Sequence, residues 1–320
     1  MPCSGRSNLL FALVSCVAFA PACTAFPEPM EPTPQPITLK IRLDERLMII
    51  VPVSVNGAGP YDFVMDTGSS KTIVDRKLAG ELDLPQIGEK TLVGALASAK
   101  MSVVQVNSIS VGGATVQGGE VFSADHAANV ASRVRGVLGE DFLRNFDVLI
   151  DYRHLVMKLE SAPGSMAATA VGEHLPLQLT GTLNGSPTPN RLIIFGRVRE
   201  FGDATMSLLL DSGANQLTLF RDNLGPGAGQ AVPITTGNFN QWVASSAAIR
   251  EIRSLHLGST SVPDLTAVAL SRRAGVDTDG LIPTSLFHSI FISSHKGFVI
   301  LNPSFPKTGR DEQAAIATSE

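Results

Sequence analysis

One short pattern occurs twice in this chain, and both copies run from apolar residues into an acidic residue, a small hydroxyl residue and a glycine. The first copy is residues 63–69, FVMDTGS, and the second is residues 208–214, LLLDSGA. An apolar run of this kind is typical of a buried strand, and the glycine permits the tight turn that must follow it. Each copy therefore predicts a strand that carries one carboxyl group, that of Asp66 or Asp211, into a loop at its end.

The repeat extends well beyond this pattern. Residues 136–143, GVLGEDFL, follow the first copy, and residues 280–287, GLIPTSLF, follow the second copy at almost the same distance. Each of these segments continues into a predicted hairpin, over residues 148–159 and 290–301. A single Asp-Thr/Ser-Gly triplet would mean little, because a chain of average composition often contains one by chance. The longer repeat indicates two copies of one folding unit.

From residue 37 onward, the chain alternates short runs of Val, Ile, Leu and Thr with turns of Gly, Asn, Pro and Asp. This alternation is the pattern of an all-β protein. No long stretch has helical periodicity, although residues 75–82 could form one short helix. The content of 44% hydrophobic and 17% charged residues suits a chain with a well-buried core.

The paired motifs resemble those of the retropepsin-like and pepsin-like aspartyl proteases, in which two lobes can be fused in one chain. The resemblance implies an all-β fold of two tandem retropepsin-like β-barrel lobes, related by a pseudo-twofold axis, with the active-site cleft between them. It also implies that Asp66 and Asp211 form a catalytic dyad, because two facing carboxyl groups can share a proton and activate a water molecule. Such a dyad needs no metal and no other cofactor.

The resemblance also gives supporting roles to the residues around the two aspartates. These residues are Thr67, Gly68, Ser69, Ser212, Gly213 and Ala214. In the family, the hydroxyl groups at the positions of Thr67 and Ser212 reach across to the opposite lobe and brace the dyad. The two glycines let backbone N–H groups approach the carboxyl groups.

The two copies differ at the residue after the glycine. The hydroxyl group of Ser69 would donate a hydrogen bond to Asp66, which favours the ionised form of that aspartate. Ala214 has no hydroxyl group to donate to Asp211. We therefore expect Asp211 to hold the proton of the dyad and Asp66 to carry the charge.

In the family, a segment of two apolar residues and a glycine packs beside each catalytic loop. Leu138 and Gly139 fit this pattern after the first copy, whereas Ile282 is followed by Pro283 after the second copy. Proline fixes the angle φ and lacks an N–H donor. We therefore expect the second loop to be held in a slightly different geometry.

Aspartyl proteases cover their cleft with β-hairpin flaps, which exclude water from the reaction. The candidates here are residues 91–101, with a tip near Gly94, and residues 233–242, with a tip near Gly237. Trp242, the only tryptophan, could line the cleft or pack in a core. The sequence favours neither place for it.

The N-terminus has the pattern of a secretory signal peptide, with one arginine, an apolar run over residues 9–20 and small residues up to residue 25. The three cysteines, Cys3, Cys16 and Cys23, all lie in this segment. Cleavage after it would leave no thiol, whereas lipidation of Cys23 would anchor the protein to a membrane. We expect an extracytoplasmic protein, either periplasmic or secreted.

The predicted organisation is a signal peptide (1–25), a Pro-rich linker (26–37), a first lobe (38–162), a connection (163–190), a second lobe (191–305) and a disordered tail (306–320). The net charge of −4, without a basic stripe, argues against nucleic acid as a partner. The six histidines show no spacing typical of metal ligands. The expected partner is a peptide or protein substrate, and the duplication favours a monomer that contains an internal pseudo-dimer.

Two alternatives stay open at this point. The chain could keep the fold as a β-rich binding or scaffold protein with a catalytically silent dyad, since a fold alone does not confer a function. It could also use only one lobe per chain and act as a homodimeric peptidase. The paired motifs favour a secreted or periplasmic aspartic endopeptidase over both alternatives.

Overall fold

A computed structural model describes residues 35–93, 98–125, 133–162, 164–183, 186–221, 231–238, 241–272 and 276–306. Strands make up most of the described chain, so the expectation of an all-β fold is confirmed. The predicted signal peptide, its cysteines, most of the linker and almost all of the predicted tail lie outside these residues. None of the helices in the described ranges is long and apolar enough to cross a membrane.

The described strands of the first half are β1 (Ile37–Lys40), β2 (Arg42–Leu43), β3 (Ile49–Val55), β4 (Ala58–Met65), β5 (Ile73–Asp75), β6 (Gln86–Val93), β7 (Ser98–Val111), β8 (Ala114–Ala124), β9 (Val134–Leu138), β10 (Phe146–Asp151) and β11 (Val156–Ser161). The helices of this half are α1 (Arg76–Glu81) and α2 (Glu140–Leu143).

The described strands of the second half are β12 (Leu175–Pro176), β13 (Gln178–Leu183), β14 (Ser186–Val198), β15 (Thr205–Asp211), β16 (Leu217–Phe220), β17 (Ala231–Asn238), β18 (Gln241–Leu257), β19 (Thr260–Leu270), β20 (Gly280–Pro283), β21 (Ser289–Ser293) and β22 (Phe298–Leu301). The helices are α3 (Met166–Thr169) and two 3-10 turns, Arg199–Phe201 and Thr284–Leu286.

Two eight-stranded sheets have the same topology. The strand order is β2-β3-β4-β9-β5-β8-β7-β6 in the first sheet and β13-β14-β15-β20-β16-β19-β18-β17 in the second. In each sheet, the strand that leads to an acidic motif, β4 or β15, pairs in parallel with a strand of the later repeat, β9 or β20. The duplicated sequence therefore folds twice into the same unit, as expected for two tandem lobes.

A six-stranded sheet joins the two lobes, in the order β1-β11-β10-β21-β22-β12. Its first three strands come from the first half of the chain and its last three from the second half. The central strands β10 and β21 are antiparallel, and Leu149 pairs with Phe291. The hairpin turns of the two halves also correspond, because Leu155 and Gly297 occupy equivalent positions and have φ angles of 53° and 71°.

The apolar runs before the two acidic motifs lie in the core. Phe63 and Met65 on β4, and Leu208 and Leu210 on β15, have no exposed surface and belong to one large cluster. The residues between them, such as Val64, face smaller clusters on the other side of each sheet. Burial on both faces explains why these strands have continuous apolar runs, and it anchors the loop that follows each strand.

Residues 163–190 are more regular than the connection that we predicted, because they contain α3, β12, β13 and the beginning of β14. The second eight-stranded sheet thus begins at Gln178, ahead of the expected lobe boundary at residue 191. The region is rich in Gly, Ser, Thr and Pro, which suggested a loop. Pro187 and Pro189 nevertheless lie in a part of β14 that pairs only with the edge strand β13, where a missing N–H group is tolerated.

A glycine begins the later repeat in each lobe because two strands approach closely there. A Cβ atom on Gly136 would lie 2.4 Å from the carbonyl oxygen of Ile73, and one on Gly280 would lie 2.2 Å from that of Thr218. Both distances are well inside van der Waals contact. The antiparallel pairing of β9 with β5, and of β20 with β16, therefore requires a residue without a side chain at this position.

We expect Gly136→Ala to lower the free energy of unfolding by about 1–3 kcal/mol, because the added methyl group forces packed backbone apart. Urea denaturation followed by circular dichroism measures this change. Gly80→Ala on α1 is the matched control, since a Cβ atom there meets nothing within 4 Å, and it should leave stability unchanged or raise it by up to ~1 kcal/mol. Equal losses in the two variants would contradict this account of the packing.

Candidate active site

The loops that follow β4 and β15 meet face to face, and the carboxyl groups of Asp66 and Asp211 hydrogen-bond to each other. Each glycine lies against the aspartate of the other lobe. A Cβ atom on Gly68 would lie 2.5 Å from Cγ of Asp211, and one on Gly213 would lie 2.9 Å from Cγ of Asp66. Only glycine, which has no side chain, leaves room for the carboxyl group of the opposite lobe.

Backbone N–H groups orient both carboxyl groups. The N–H groups of Gly68 and Ser69 donate to Oδ1 of Asp66 at 2.8 and 3.1 Å. The N–H group of Gly213 donates to Oδ1 of Asp211 at 2.8 Å. These bonds fix one oxygen of each aspartate within its own loop, and the two loops do so in the same way.

Thr67 and Ser212 tie the two loops together through four reciprocal hydrogen bonds. Oγ1 of Thr67 accepts from the Ser212 N–H group at 2.9 Å and donates to the carbonyl oxygen of Leu210 at 2.9 Å. Oγ of Ser212 accepts from the Thr67 N–H group at 3.0 Å and donates to the carbonyl oxygen of Met65 at 2.9 Å. Both side chains are buried, so water does not compete for these bonds.

The hydroxyl group of Ser69 does not have the predicted role. It donates to the carbonyl oxygen of Lys71 at 2.7 Å, and only the backbone N–H group of Ser69 reaches Asp66. Ala214 supplies a backbone N–H group to Asp211 in the same manner. The prediction that this side chain distinguishes the two aspartates was wrong, because the backbone provides the donor in both loops.

The two aspartates nevertheless differ in their electrostatic surroundings. Burial and the negative charge of Asp66 raise the pKa of Asp211 well above its ordinary value. Burial also raises the pKa of Asp66, but the hydrogen bonds from Asp211, Gly68 and Ser69 oppose this rise. These surroundings favour the protonated form of Asp211 and the ionised form of Asp66.

Arg191 is a residue that sequence reasoning missed. It lies on β14 and is partly buried, and its positive charge lowers the pKa of Asp66. Burial in turn lowers the pKa of Arg191 itself, although the charges of Asp277, Asp211 and Asp66 oppose this effect. A single arginine well before the second motif gives no sequence signal, since only the fold places it near the pair.

The later repeat packs beside each loop. Leu138 pairs with Met65 in the first lobe, and Ile282 pairs with Leu210 in the second. Gly139 and Pro283 occupy equivalent positions but differ in backbone conformation, with φ of −101° and −63°. A Cβ atom on Gly139 would lie 2.5 Å from the carbonyl carbon of Lys71, so the backbone is closely packed at this position of the first lobe.

Two hairpins occupy the positions of the predicted flaps. Strands β6 and β7 pair up to Val93 and Ser98, and Gly94 lies outside the described residues. Strands β17 and β18 pair Gly237 with Trp242 near the tip of the second hairpin. The side chain of Trp242 also lies outside the described part of the chain, so its place in a cleft stays a prediction. Within the described ranges, no group of three or more His, Cys, Asp or Glu residues is arranged to hold a metal ion.

Comparison with known proteins bears on the first lobe. Residues 51–142 match the family model described as aspartyl protease, and this range includes Asp66, Leu138 and Gly139. The search of curated proteins found no match. Similar solved structures include a retropepsin-like aspartic protease from Rickettsia conorii, with 17% sequence identity, 40% of this chain and 94% of that chain covered, and a TM-score of 0.30. A TM-score of 0.30 is too low to support a conclusion from this structural likeness. The first lobe is therefore similar to the aspartyl protease family.

Proposed function

We propose that this protein is an extracytoplasmic aspartic endopeptidase in which Asp66 and Asp211 of one chain activate a water molecule. The observation that carries the proposal is the pair of hydrogen-bonded carboxyl groups, one from each copy of the motif. The hydrogen bonds between Thr67 and Ser212 within a single chain favour this internal dyad over a homodimeric site. The signal-peptide pattern of the N-terminus supports export, either as a free protein or through a lipid anchor at Cys23.

The proposed mechanism follows from the unequal protonation of the pair. Ionised Asp66 accepts a proton from the attacking water, while protonated Asp211 donates a hydrogen bond to the carbonyl oxygen of the scissile peptide bond. The water oxygen bonds to the carbonyl carbon while Asp211 transfers its proton to the carbonyl oxygen, which gives a tetrahedral diol. The proton on Asp66 then passes to the leaving nitrogen, a hydroxyl group of the diol returns a proton to Asp211, the C–N bond breaks, and the products are a carboxylic acid and an amine. Each proton in this cycle moves between the substrate, the water and the two aspartates.

Substitution of either aspartate tests the shared dyad. We expect Asp66→Asn and Asp211→Asn each to lower kcat/KM by about 10²–10⁴-fold, because each removes one partner of the acid–base pair. The assay measures cleavage of a mixed peptide library from acidic to neutral pH, with and without a statine-type inhibitor. Asp203→Asn is the matched control, since Asp203 is exposed and its φ of 56° suits asparagine as well.

Other outcomes of this assay would assign other functions. Activity that survives Asp211→Asn would indicate that first lobes pair between two chains. If the folded parent protein cleaves no peptide at any pH, a binding or scaffold protein with a silent dyad is favoured. Solution molecular mass measured on the same samples separates an active monomer from a dimer.

The reciprocal hydrogen bonds between the loops can be tested by changing one hydroxyl group. Ser212→Ala leaves the buried Thr67 N–H group and the Met65 carbonyl oxygen without these partners, so we expect a loss of about 1–3 kcal/mol in unfolding free energy. We also expect kcat to fall more than KM changes, since the loops position the reacting groups. Ser212→Thr keeps the hydroxyl group found in the first copy and should retain most activity. Equal activity of the Ala and Thr variants would show that the bonds do not position the dyad.

The raised pKa of Asp211 also predicts a pH dependence of stability. The folded protein holds this proton more tightly than the unfolded chain does, so the stabilisation is present below about pH 4 and is lost as the pH rises above it. Asp211→Asn lacks this titration. We therefore expect the unfolding free energy of the parent protein to fall relative to that of the variant as the pH rises above about 4, at up to ~1.4 kcal/mol per pH unit. Chemical denaturation at several pH values measures the difference, and a constant difference would contradict the assignment.

A further inference from the structure

A cavity of about 310 Å³ lies where α2, the β13–β14 hairpin and the turn between β21 and β22 come together. Glu140, Phe146 and Leu192 form its buried inner wall, and the exposed residues Arg144 and His295 lie at its mouth. Its volume is at the lower end of the range for small-molecule sites, about 300–1,000 Å³. The dyad residues are not among the residues that line it.

The pseudo-twofold axis relates this cavity to a filled position in the other half of the molecule. Tyr152 directly follows β10, and Ser294 directly follows β21, so the two residues are equivalent in the paired hairpins. In the same way, Thr284 follows Pro283 and Glu140 follows Gly139. The hydroxyl group of Tyr152 hydrogen-bonds to that of Thr284. On the cavity side, the equivalent pair is Ser294 and Glu140, and no phenol ring is present between them.

The carboxyl residue Glu140 is one of those that line this cavity. The residue is only 2% exposed, and none of the described residues hydrogen-bonds to its carboxyl group. Burial, followed by the negative charges of Asp141 and Asp66, raises its pKa well above the ordinary value. A carboxyl group in a largely buried cavity is stabilised by a hydrogen-bond partner, and a ligand hydroxyl group would supply one.

We propose that the cavity binds a phenol group, either as a small phenolic molecule or as the tyrosine side chain of a peptide. The hydroxyl group would hydrogen-bond to Glu140, as Tyr152 does to Thr284 in the other half. The ring would pack against Phe146, Leu192 and Leu179, and the rest of the ligand would leave through the open mouth. This proposal concerns binding alone and does not depend on the proposed peptidase activity.

The cavity is also connected to the loop that carries Asp66. The N–H group of Glu140 donates to the carbonyl oxygen of Ser69 at 2.8 Å. Nδ2 of Asn190, another lining residue, donates to the carbonyl oxygen of Ser70 at 3.3 Å, and Arg144 donates to Oδ1 of the same asparagine. An occupant that orders Glu140 and Asn190 would therefore act on the backbone next to the dyad.

The test is a calorimetric titration of the full chain with p-cresol, with toluene as a probe of the same shape that lacks the hydroxyl group. We expect one p-cresol per chain and roughly tenfold weaker binding of toluene. Ser294→Tyr restores the phenol ring of the other half and should abolish binding, whereas Ser294→Ala keeps the cavity and should retain it. Glu140→Leu should remove the preference for p-cresol over toluene.

A titration with N-acetyl-tyrosinamide separates the two sources of the phenol group. Binding as tight as that of p-cresol would assign the site to a tyrosine side chain, and much weaker binding would assign it to a small phenol. Should Ser294→Tyr fail to fold, nuclear Overhauser contacts between p-cresol and Phe146 or Leu192 locate the ligand in the parent protein. The proposal is overturned if p-cresol does not bind, if it binds equally to a folded Ser294→Tyr variant, or if Glu140→Leu leaves its preference over toluene unchanged.

Discussion

The four buried hydrogen bonds between Thr67 and Ser212 determine how the two acidic loops meet. Each hydroxyl group joins the backbone of the opposite loop twice, as acceptor and as donor, so neither loop can shift without leaving polar groups unpaired. The position of the two carboxyl groups then follows from the strands that precede these residues. The apolar runs on β4 and β15 supply the burial, and the hydroxyl groups supply the alignment. Both parts are needed to hold two acids at hydrogen-bonding distance.

Symmetry brings the two carboxyl groups together, and small departures from symmetry make them unequal. Burial raises the pKa of both aspartates, but the negative charge of Asp66 raises that of Asp211 further, whereas the positive charge of Arg191 lowers that of Asp66. Glu140 and Thr284 show the same effect at a second pair of equivalent positions, where Thr284 is bonded to Tyr152 and Glu140 lines a cavity. A duplicated fold thus gives equivalent positions, and single substitutions at these positions give each copy its own chemistry.

The sequence predicted those parts of the fold whose pattern is complete within a short segment. Strands β4 and β15 were of this kind, because an apolar run and the aspartate after it describe the whole element. The role of Ser69 could not be predicted, since it depended on whether the backbone or the hydroxyl group reached Asp66 first. Arg191 carried no motif, and its effect on the pair depends on where β14 runs. The hairpin of β13 and β14 was missed because its composition resembles a loop, and only its place at a sheet edge makes strands with prolines acceptable.

The six-stranded sheet has a consequence for how the chain is made. Synthesis completes the first half before β21 exists, and until then the edge of β10 that later pairs with β21 has no partner. An unpaired edge of buried, apolar residues is prone to pair with the same edge of another nascent chain. In the shared sheet, the second half therefore covers an edge of the first half that would otherwise promote aggregation. The yield of folded protein then depends on how fast the second half is synthesised.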